Sequence, residues 1–164
     1  TGTTSGTAAL SNVELTGLIA DSLTGSVTVW TLNNVILDDG TNRIKATGTL
    51  TENNANQQAD LFGQEVTWSS TPYITLLKDC AISGEWRLNA ATVIDGNGFV
   101  FDCADSGKKF DCNAGVTLRN ITLANVGAAT FDVNQGDGQV LSCANVKWFD
   151  NASGALHKIG RAHV

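Results

Sequence analysis

The apolar residues of this chain alternate with polar ones in short segments whose phase shifts at polar positions. In residues 116–123 the alternation runs up to Leu118, is interrupted at Asn120, and resumes one residue out of phase at Ile121. A one-residue shift in a strand pattern turns the apolar side chains to the opposite face unless the backbone bends there. The pattern therefore predicts two short strands that meet at Asn120 and face one common core.

The same corner pattern recurs along the chain and indicates a repeat architecture. Each copy has an apolar residue, any residue, Asn or Asp, an apolar residue, any residue and an apolar residue. The copies centre on Asn12, Asn34, Asp79, Asn120 and Asn145, with spacings of 22, 45, 41 and 25 residues. The two long spacings are close to twice the short ones. A strand-like period of this size is typical of a solenoid whose stacked repeats share one core.

The five corner copies, together with the sequence VIDGNGF at residues 93–99, resemble the right-handed parallel β-helix proteins of the pectin-lyase-like group, including uncharacterised bacterial surface proteins. The resemblance covers roughly residues 8–155. It implies an all-β, right-handed parallel β-helix of about six to seven coils. Because this fold hosts lyases, hydrolases, adhesins and spikes, the resemblance assigns no single activity.

Within such a helix, the five corner residues are expected to lie in one row at equivalent corners. Asn tolerates left-handed backbone angles, and its amide carries both donors and acceptors. Successive corners are therefore expected to bond to one another as a structural corner ladder. Asn120 is expected inside the stack, which argues against using the sequon Asn120-Ile121-Thr122 for glycosylation.

The chain is expected to contain a single domain between two short end segments. Residues 1–8 are rich in Thr, Gly and Ser and are interpreted as a tether or the end of an earlier coil. Residues 9–157 are predicted to form one parallel β-helix domain with a polar loop at residues 52–60. Residues 158–164 resemble a translated sequencing adapter, so we interpret them as a non-native tail and the chain as a truncated fragment without its signal.

Charge and composition narrow the classes of partner. The net charge is −6, and charged residues make up only 16% of the sequence. An acidic chain lacks the basic surface that nucleic acids and anionic membranes bind, and no apolar run is long enough to insert in a membrane. The resemblance implies a secreted or bacterial cell-surface location, with polysaccharide or other surface proteins as partners.

The four cysteines are predicted to be buried and to bind no metal. Cys80, Cys103, Cys112 and Cys143 contain no Cys-x-x-Cys pair, which argues against zinc. Cys80 and Cys143 take positions that other copies give to Val, Ile or Leu, so they are expected to point inward. Cys80 and Cys103 are about one coil apart and would stack as two core thiols or as a disulfide. No cofactor is expected.

No complete catalytic constellation is visible in the sequence. Both histidines, His157 and His163, lie at the end of the chain, so a Ser-His-Asp or Cys-His site has no credible base. The pair in Asp38-Asp39-Gly40 is predicted to form a turn. We therefore expect a non-catalytic β-helix segment with a structural, adhesive or spike role. The alternative is a polysaccharide lyase or glycoside hydrolase, which an exposed group of carboxylates or Arg/Lys on one flank would favour.

Overall fold

The chain folds into stacked coils of β-strand. The computed structural model describes residues 6–17, 27–52, 62–63, 65–103, 107, 109–127, 130–133 and 140–149. Over these residues the protein is all-β without helix, and its strands form a β-solenoid of about five turns. The predicted fold class is confirmed, although the expected number of coils was slightly higher. No helix able to cross a membrane occurs in this part of the chain.

Several strands are long because each of them turns a corner and contributes to two sides of a coil. The strands of the described residues are β1 (Gly6–Ser11), β2 (Glu14–Leu15), β3 (Val27–Asp38), β4 (Arg43–Glu52), β5 (Glu65–Leu76), β6 (Cys80–Ala81), β7 (Glu85–Leu88), β8 (Thr92–Asp95), β9 (Val100–Asp102), β10 (Phe110–Cys112), β11 (Val116–Ala124), β12 (Phe131–Val133) and β13 (Leu141–Trp148). The long strands β5 and β11 each pair with two different strands on the same neighbouring coil.

Parallel pairing between successive coils produces three stacks of strands. Side 1 contains the first half of β5, followed by β7, β10 and β12. Side 2 contains the second half of β5, then β8, and then the first halves of β11 and β13. Side 3 contains β6 and β9 and the second halves of β11 and β13. Inward-pointing side chains from all three sides share one core, as stacking of repeats requires.

β4 runs against the direction of its neighbours and interrupts the parallel order. It pairs antiparallel with both β3 and β5, so β3 and β5 run in the same direction. In the reversal after β3, the Asp38 carboxylate accepts the N–H of Gly40 at 2.7 Å, and the Asp39 carboxylate accepts the N–H of Thr41 at 2.9 Å. These bonds stabilise a tight turn and confirm the turn predicted there. The antiparallel strand itself was missed, because no copy of the corner pattern marks it.

β11 contains the corner from which the repeat was deduced. Val116 and Leu118 in its first half are buried, and so are Ile121 and Leu123 in its second half. Between the halves, Asn120 has a φ of 49°, in the left-handed region. The bend predicted from the phase shift is therefore confirmed, with both halves facing the same core.

Aromatic rings form the centre of the core where sides 1 and 3 approach each other. Trp86 is fully buried, and its ring centroid lies 5.5–6.0 Å from those of Phe62, Trp68, Phe101 and Phe110. Three of these contacts are edge-on or nearly so, a geometry that aromatic pairs favour. Trp86 therefore joins three successive coils through one side chain.

The turn between β8 and β9 fits against the next coil because Gly96 has no side chain. The φ angles of Asn97 and Gly98 are 52° and 87°, and the N–H of Phe99 donates to the Gly96 carbonyl at 2.8 Å. Asn-Gly is the preferred pair for a turn with two positive φ angles. A Cβ on Gly96 would lie 2.4 Å from the Cβ of Ile121, so the close approach of the two coils requires glycine.

Parts of the predicted end segments and loop lie outside the described residues. Gly6–Ser11 is strand β1, whereas residues 1–5 are not described. Glu52 belongs to β4, and the remainder of the predicted polar loop, residues 53–60, is not described. The same holds for residues 158–164. The proposed tether, loop and tail therefore stay predictions.

Candidate functional site

The four corner asparagines form two separate pairs instead of one row. The Asn34 Nδ2 donates to the Asn12 Oδ1 at 2.8 Å, and the Asn145 Nδ2 donates to the Asn120 Oδ1 at 3.1 Å. All four asparagines have φ between 49° and 55°. The strand register places these pairs at different corners. The part of β3 that follows Asn34 is level, through β4, with the second half of β5, so Asn34 lies just before side 2. Asn120 lies just after side 2, because the first half of β11 belongs to that side. The single row expected from the sequence is therefore wrong.

The row that contains Asn120 continues to Asp95 and leaves out Asp79. The Asn120 Nδ2 donates to the Asp95 Oδ1 at 3.3 Å, so Asp95, Asn120 and Asn145 form what we call the corner row. Asp79 lies at the same edge, but its carboxylate accepts the backbone N–H of Val100 at 2.8 Å. Asn120 is exposed, contrary to expectation, because the apolar residues on either side of the corner fill the core and leave the corner residue outside.

Next to the corner row, three side chains on the outer surface of side 2 form the Tyr73 cluster, which consists of Tyr73, Asp95 and Arg119. The Arg119 guanidinium lies 5.3 Å from the centroid of the Tyr73 ring and also donates to its hydroxyl. The Arg119 Nε donates to the Asp95 Oδ2 at 2.8 Å. Partial burial opposes ionisation of Asp95, but bonds from Asn97, Asn120 and Arg119 outweigh it and lower its pKa. The cluster therefore holds an ionised carboxylate.

A second group of charged residues, the Arg87 row, lies on the outer surface of side 1. It consists of Glu65, Glu85, Arg87, Asp111 and Asp132. The Arg87 guanidinium lies 3.0 Å from the Asp111 carboxylate, 2.8 Å from that of Glu65 and 3.6 Å from that of Glu85. The hydrogen bond to Asp111 is the main cause that raises the pKa of Arg87. One cation thus links carboxylates on three successive coils.

Five uncharged side chains on the outside of β3, β4 and β5 form the hydroxyl face, which borders the Arg87 row where Thr67 is level with Arg87. The hydroxyl face consists of Thr31, Thr49, Thr51, Thr67 and Ser69. Thr31, Thr49 and Ser69 are level with one another across the three strands, and Thr51 is level with Thr67. Residues at alternate positions on these strands point into the core, so the five side chains share the outer surface. Strand spacing separates neighbouring hydroxyl groups in a row by about 5 Å.

The cysteines are free thiols that differ in exposure. Cys80, Cys103 and Cys112 are buried, as expected, whereas Cys143 is exposed because no described coil covers β13. Burial raises the pKa of Cys80 to about 11 and the pKa values of Cys103 and Cys112 to about 12, so these thiols stay protonated at neutral pH. Cys80 is level with Phe101, two residues before Cys103, so the spacing of one coil does not set the two thiols side by side.

The described residues contain no group of three or more His, Cys, Asp or Glu side chains arranged to hold a metal ion. His157 and His163 lie outside the described residues. The sequence analysis did not identify Tyr73, Arg87 or Arg119. A usable signal existed, because the ion pairs of Arg87 with Asp111 and of Arg119 with Asp95 both join residues 24 positions apart, close to the length of one coil.

The fold and these surfaces define the class of the protein as a β-solenoid with polar side-chain rows on its outer sides. Comparison with protein families, curated proteins and solved structures found no match. The solenoid is therefore established from the chain itself, and membership of the pectin-lyase-like group stays a prediction.

Proposed function

We propose that this chain is a non-catalytic, secreted or cell-surface β-helix segment of the pectin-lyase-like type, with a structural and adhesive role. The observation that carries the proposal is the pairing of its outward-facing charged groups from coil to coil. Arg87 bonds to carboxylates on both neighbouring coils, and Arg119 bonds to Asp95 on the preceding coil. These groups hold adjacent coils together, as expected for a rod whose surface side chains maintain its stack.

The hydroxyl face is the proposed adhesive surface, and a neutral polysaccharide is its proposed partner. Thr and Ser hydroxyls donate and accept hydrogen bonds as sugar hydroxyls do, while the Thr methyl groups offer apolar contact. Each contact is weak, but rows of hydroxyls on Thr31, Thr49 and Ser69 would engage a repeating polymer at several points at once. The absence of charge at these positions favours a neutral polymer over an acidic one.

A depletion assay with insoluble polysaccharides tests this proposal. The protein is mixed with cellulose, with chitin and with an acidic polysaccharide gel, and the protein left in solution is measured. We expect binding to a neutral polymer, and Thr49→Lys should weaken it by roughly tenfold or more, which corresponds to about 1.4 kcal/mol. Thr117→Lys, which puts the same charge on side 2, is the control and should bind like the parent. Equal binding by both variants, or no binding to any neutral polymer, would contradict the proposal.

The Arg87 row favours a second candidate, a polysaccharide lyase or glycoside hydrolase. It is a partly exposed group of carboxylates around a cation on one flank, and the sequence analysis named an exposed group of this kind as the feature favouring an enzyme. The test is incubation with uronic-acid polysaccharides while unsaturated products and new reducing ends are measured. Under the proposal made above, the parent forms no product above buffer. Product that forms with the parent and is lost in Arg87→Ala would establish the enzyme instead.

A further inference from the structure

The turn between β8 and β9 places the chain's single Asn-Gly pair at an exposed position. Asn97 and Gly98 are both exposed, and they are the two central residues of the turn. Because glycine has no side chain, the backbone nitrogen that follows Asn97 is unusually accessible to the Asn97 side-chain carbonyl. This pair therefore carries the groups needed for self-deamidation.

The reaction has two steps and needs only water as co-reactant. The Gly98 backbone nitrogen loses its proton to solvent base and forms a bond to Cγ of Asn97. The bond from Cγ to the side-chain nitrogen breaks, and that nitrogen takes up a proton from water and leaves as ammonia. One water molecule then opens the cyclic imide at either carbonyl carbon, which gives aspartate or isoaspartate at position 97. No group is oxidised or reduced.

In the folded protein the attacking nitrogen is engaged by the next coil. The N–H of Gly98 donates to the backbone carbonyl of Asn120 at 2.7 Å. The N–H of Asn97 donates to the Asp95 carboxylate at 3.0 Å, and the N–H of Phe99 donates to Gly96. Loss of the Gly98 proton would leave a bare nitrogen facing a carbonyl oxygen, which is unfavourable. Attack therefore requires that the turn first separates from the neighbouring coil.

We propose that Asn97-Gly98 is a deamidation site that stacking of the next coil keeps unreactive. Once this corner has opened, the reaction changes the covalent structure of the coil irreversibly. Isoaspartate lengthens the backbone by one methylene beside Gly96, where the backbone already lies against Ile121. Either product also adds a carboxylate close to that of Asp95, and like charges at short range repel. A reacted corner therefore cannot restore the original stacking.

The first test compares deamidation of the whole protein in mildly alkaline buffer with and without urea above its unfolding midpoint. Peptide mass spectrometry measures aspartate and isoaspartate at position 97. We expect the rate in buffer to be lower by roughly tenfold or more, since each tenfold of protection corresponds to about 1.4 kcal/mol of opening free energy. Rates within twofold of each other, or no reaction in urea, would overturn the proposal.

The second test loosens the corner without removing the carbonyl that accepts the Gly98 N–H. Asn120→Gly keeps the backbone oxygen and permits the left-handed angle, but it loses the side-chain bonds of the corner row. We expect its rate at Asn97 to rise severalfold in buffer and to equal that of the parent in urea. Asn97→Gln is the control and should give no product at position 97 in the same period. An unchanged rate in buffer, in a variant whose stability has fallen, would overturn the proposal.

Discussion

The close approach at Gly96 makes a sharp prediction for the substitution Gly96→Ala. The added Cβ would lie 2.4 Å from the Cβ of Ile121, 2.5 Å from its Cα and 2.6 Å from the carbonyl oxygen of Asn120. Two of these atoms belong to the backbone of β11, so a side-chain rotation cannot relieve the contact. Overpacking of this kind costs about 1–3 kcal/mol. The shift also strains the bond from the Gly96 N–H to the Arg119 carbonyl, which contributes about 0.5–1.5 kcal/mol.

We therefore expect Gly96→Ala to lower the free energy of unfolding by roughly 2–4 kcal/mol. Urea unfolding measures this free energy, and the slope of the free energy against urea concentration shows whether the denatured state has also changed. Gly115→Ala is the matched control: the nearest atom to its added Cβ is the Val140 carbonyl oxygen at 3.8 Å, an ordinary contact. It should change stability by no more than about 0.5 kcal/mol. If Gly96→Ala unfolds like the parent, or if both variants lose the same amount, the stacking of these coils is not as described.

Other parts of the stack can be tested by four experiments. Asn120→Leu should lower the free energy of unfolding by about 2–3 kcal/mol, because leucine strains the left-handed backbone and the hydrogen bonds of the amide are lost. Asn120→Gly should lower it by less, and equal losses in urea unfolding would contradict the role of the backbone angle. A thiol reagent at neutral pH should label Cys143 quickly and Cys103 only as the protein unfolds; two or more fast sites would argue against the packing. Burial raises the pKa of the Cys103 thiol from 9.0 to about 12, so the stability that this thiol contributes is complete below pH 9 and is lost as the pH rises towards 12. Over that pH range Cys103→Ala should lose less stability than the parent. Trp86→Ala should cost about 3–5 kcal/mol, and a loss below about 1 kcal/mol would contradict its central position.

The bends of the solenoid were predictable because burial imposes the alternation of apolar residues. Asn120 interrupts that alternation in β11, and the strand bends there with a φ of 49°. The identity of each corner was not predictable. Asn34 has nearly the same φ, 55°, at a different corner of the coil, so the same sequence pattern occurs at both corners and does not distinguish them. The exposure of the corner side chains was missed for the same reason, since the pattern describes the apolar neighbours and not the corner itself.

The direction of a strand was a second feature that the pattern could not specify. Alternation of apolar side chains is the same for parallel and antiparallel pairing, so β4 carried no sign of its reversal apart from the turn at Asp38-Asp39-Gly40. The groups of side chains on the surface could be predicted from the sequence only in part. Opposite charges spaced one coil apart pair across stacked strands, and this rule would have found Arg87 with Asp111, whereas the hydroxyl face depends on the register of β4 and could not be placed without it.

The antiparallel strand β4 also bears on the order in which the chain assembles. Asp38 pairs with Arg43 only five residues further along, whereas the parallel pair of Val116 and Leu141 joins residues 25 apart. Short closures cost less conformational entropy, and hairpins form within about 1–10 μs. We expect the β3–β4 hairpin to form first and to act as a template onto which later coils add in succession. Pulsed hydrogen exchange during refolding should show protection at Ile44 before Val116, and the reverse order would place the nucleus among the parallel coils.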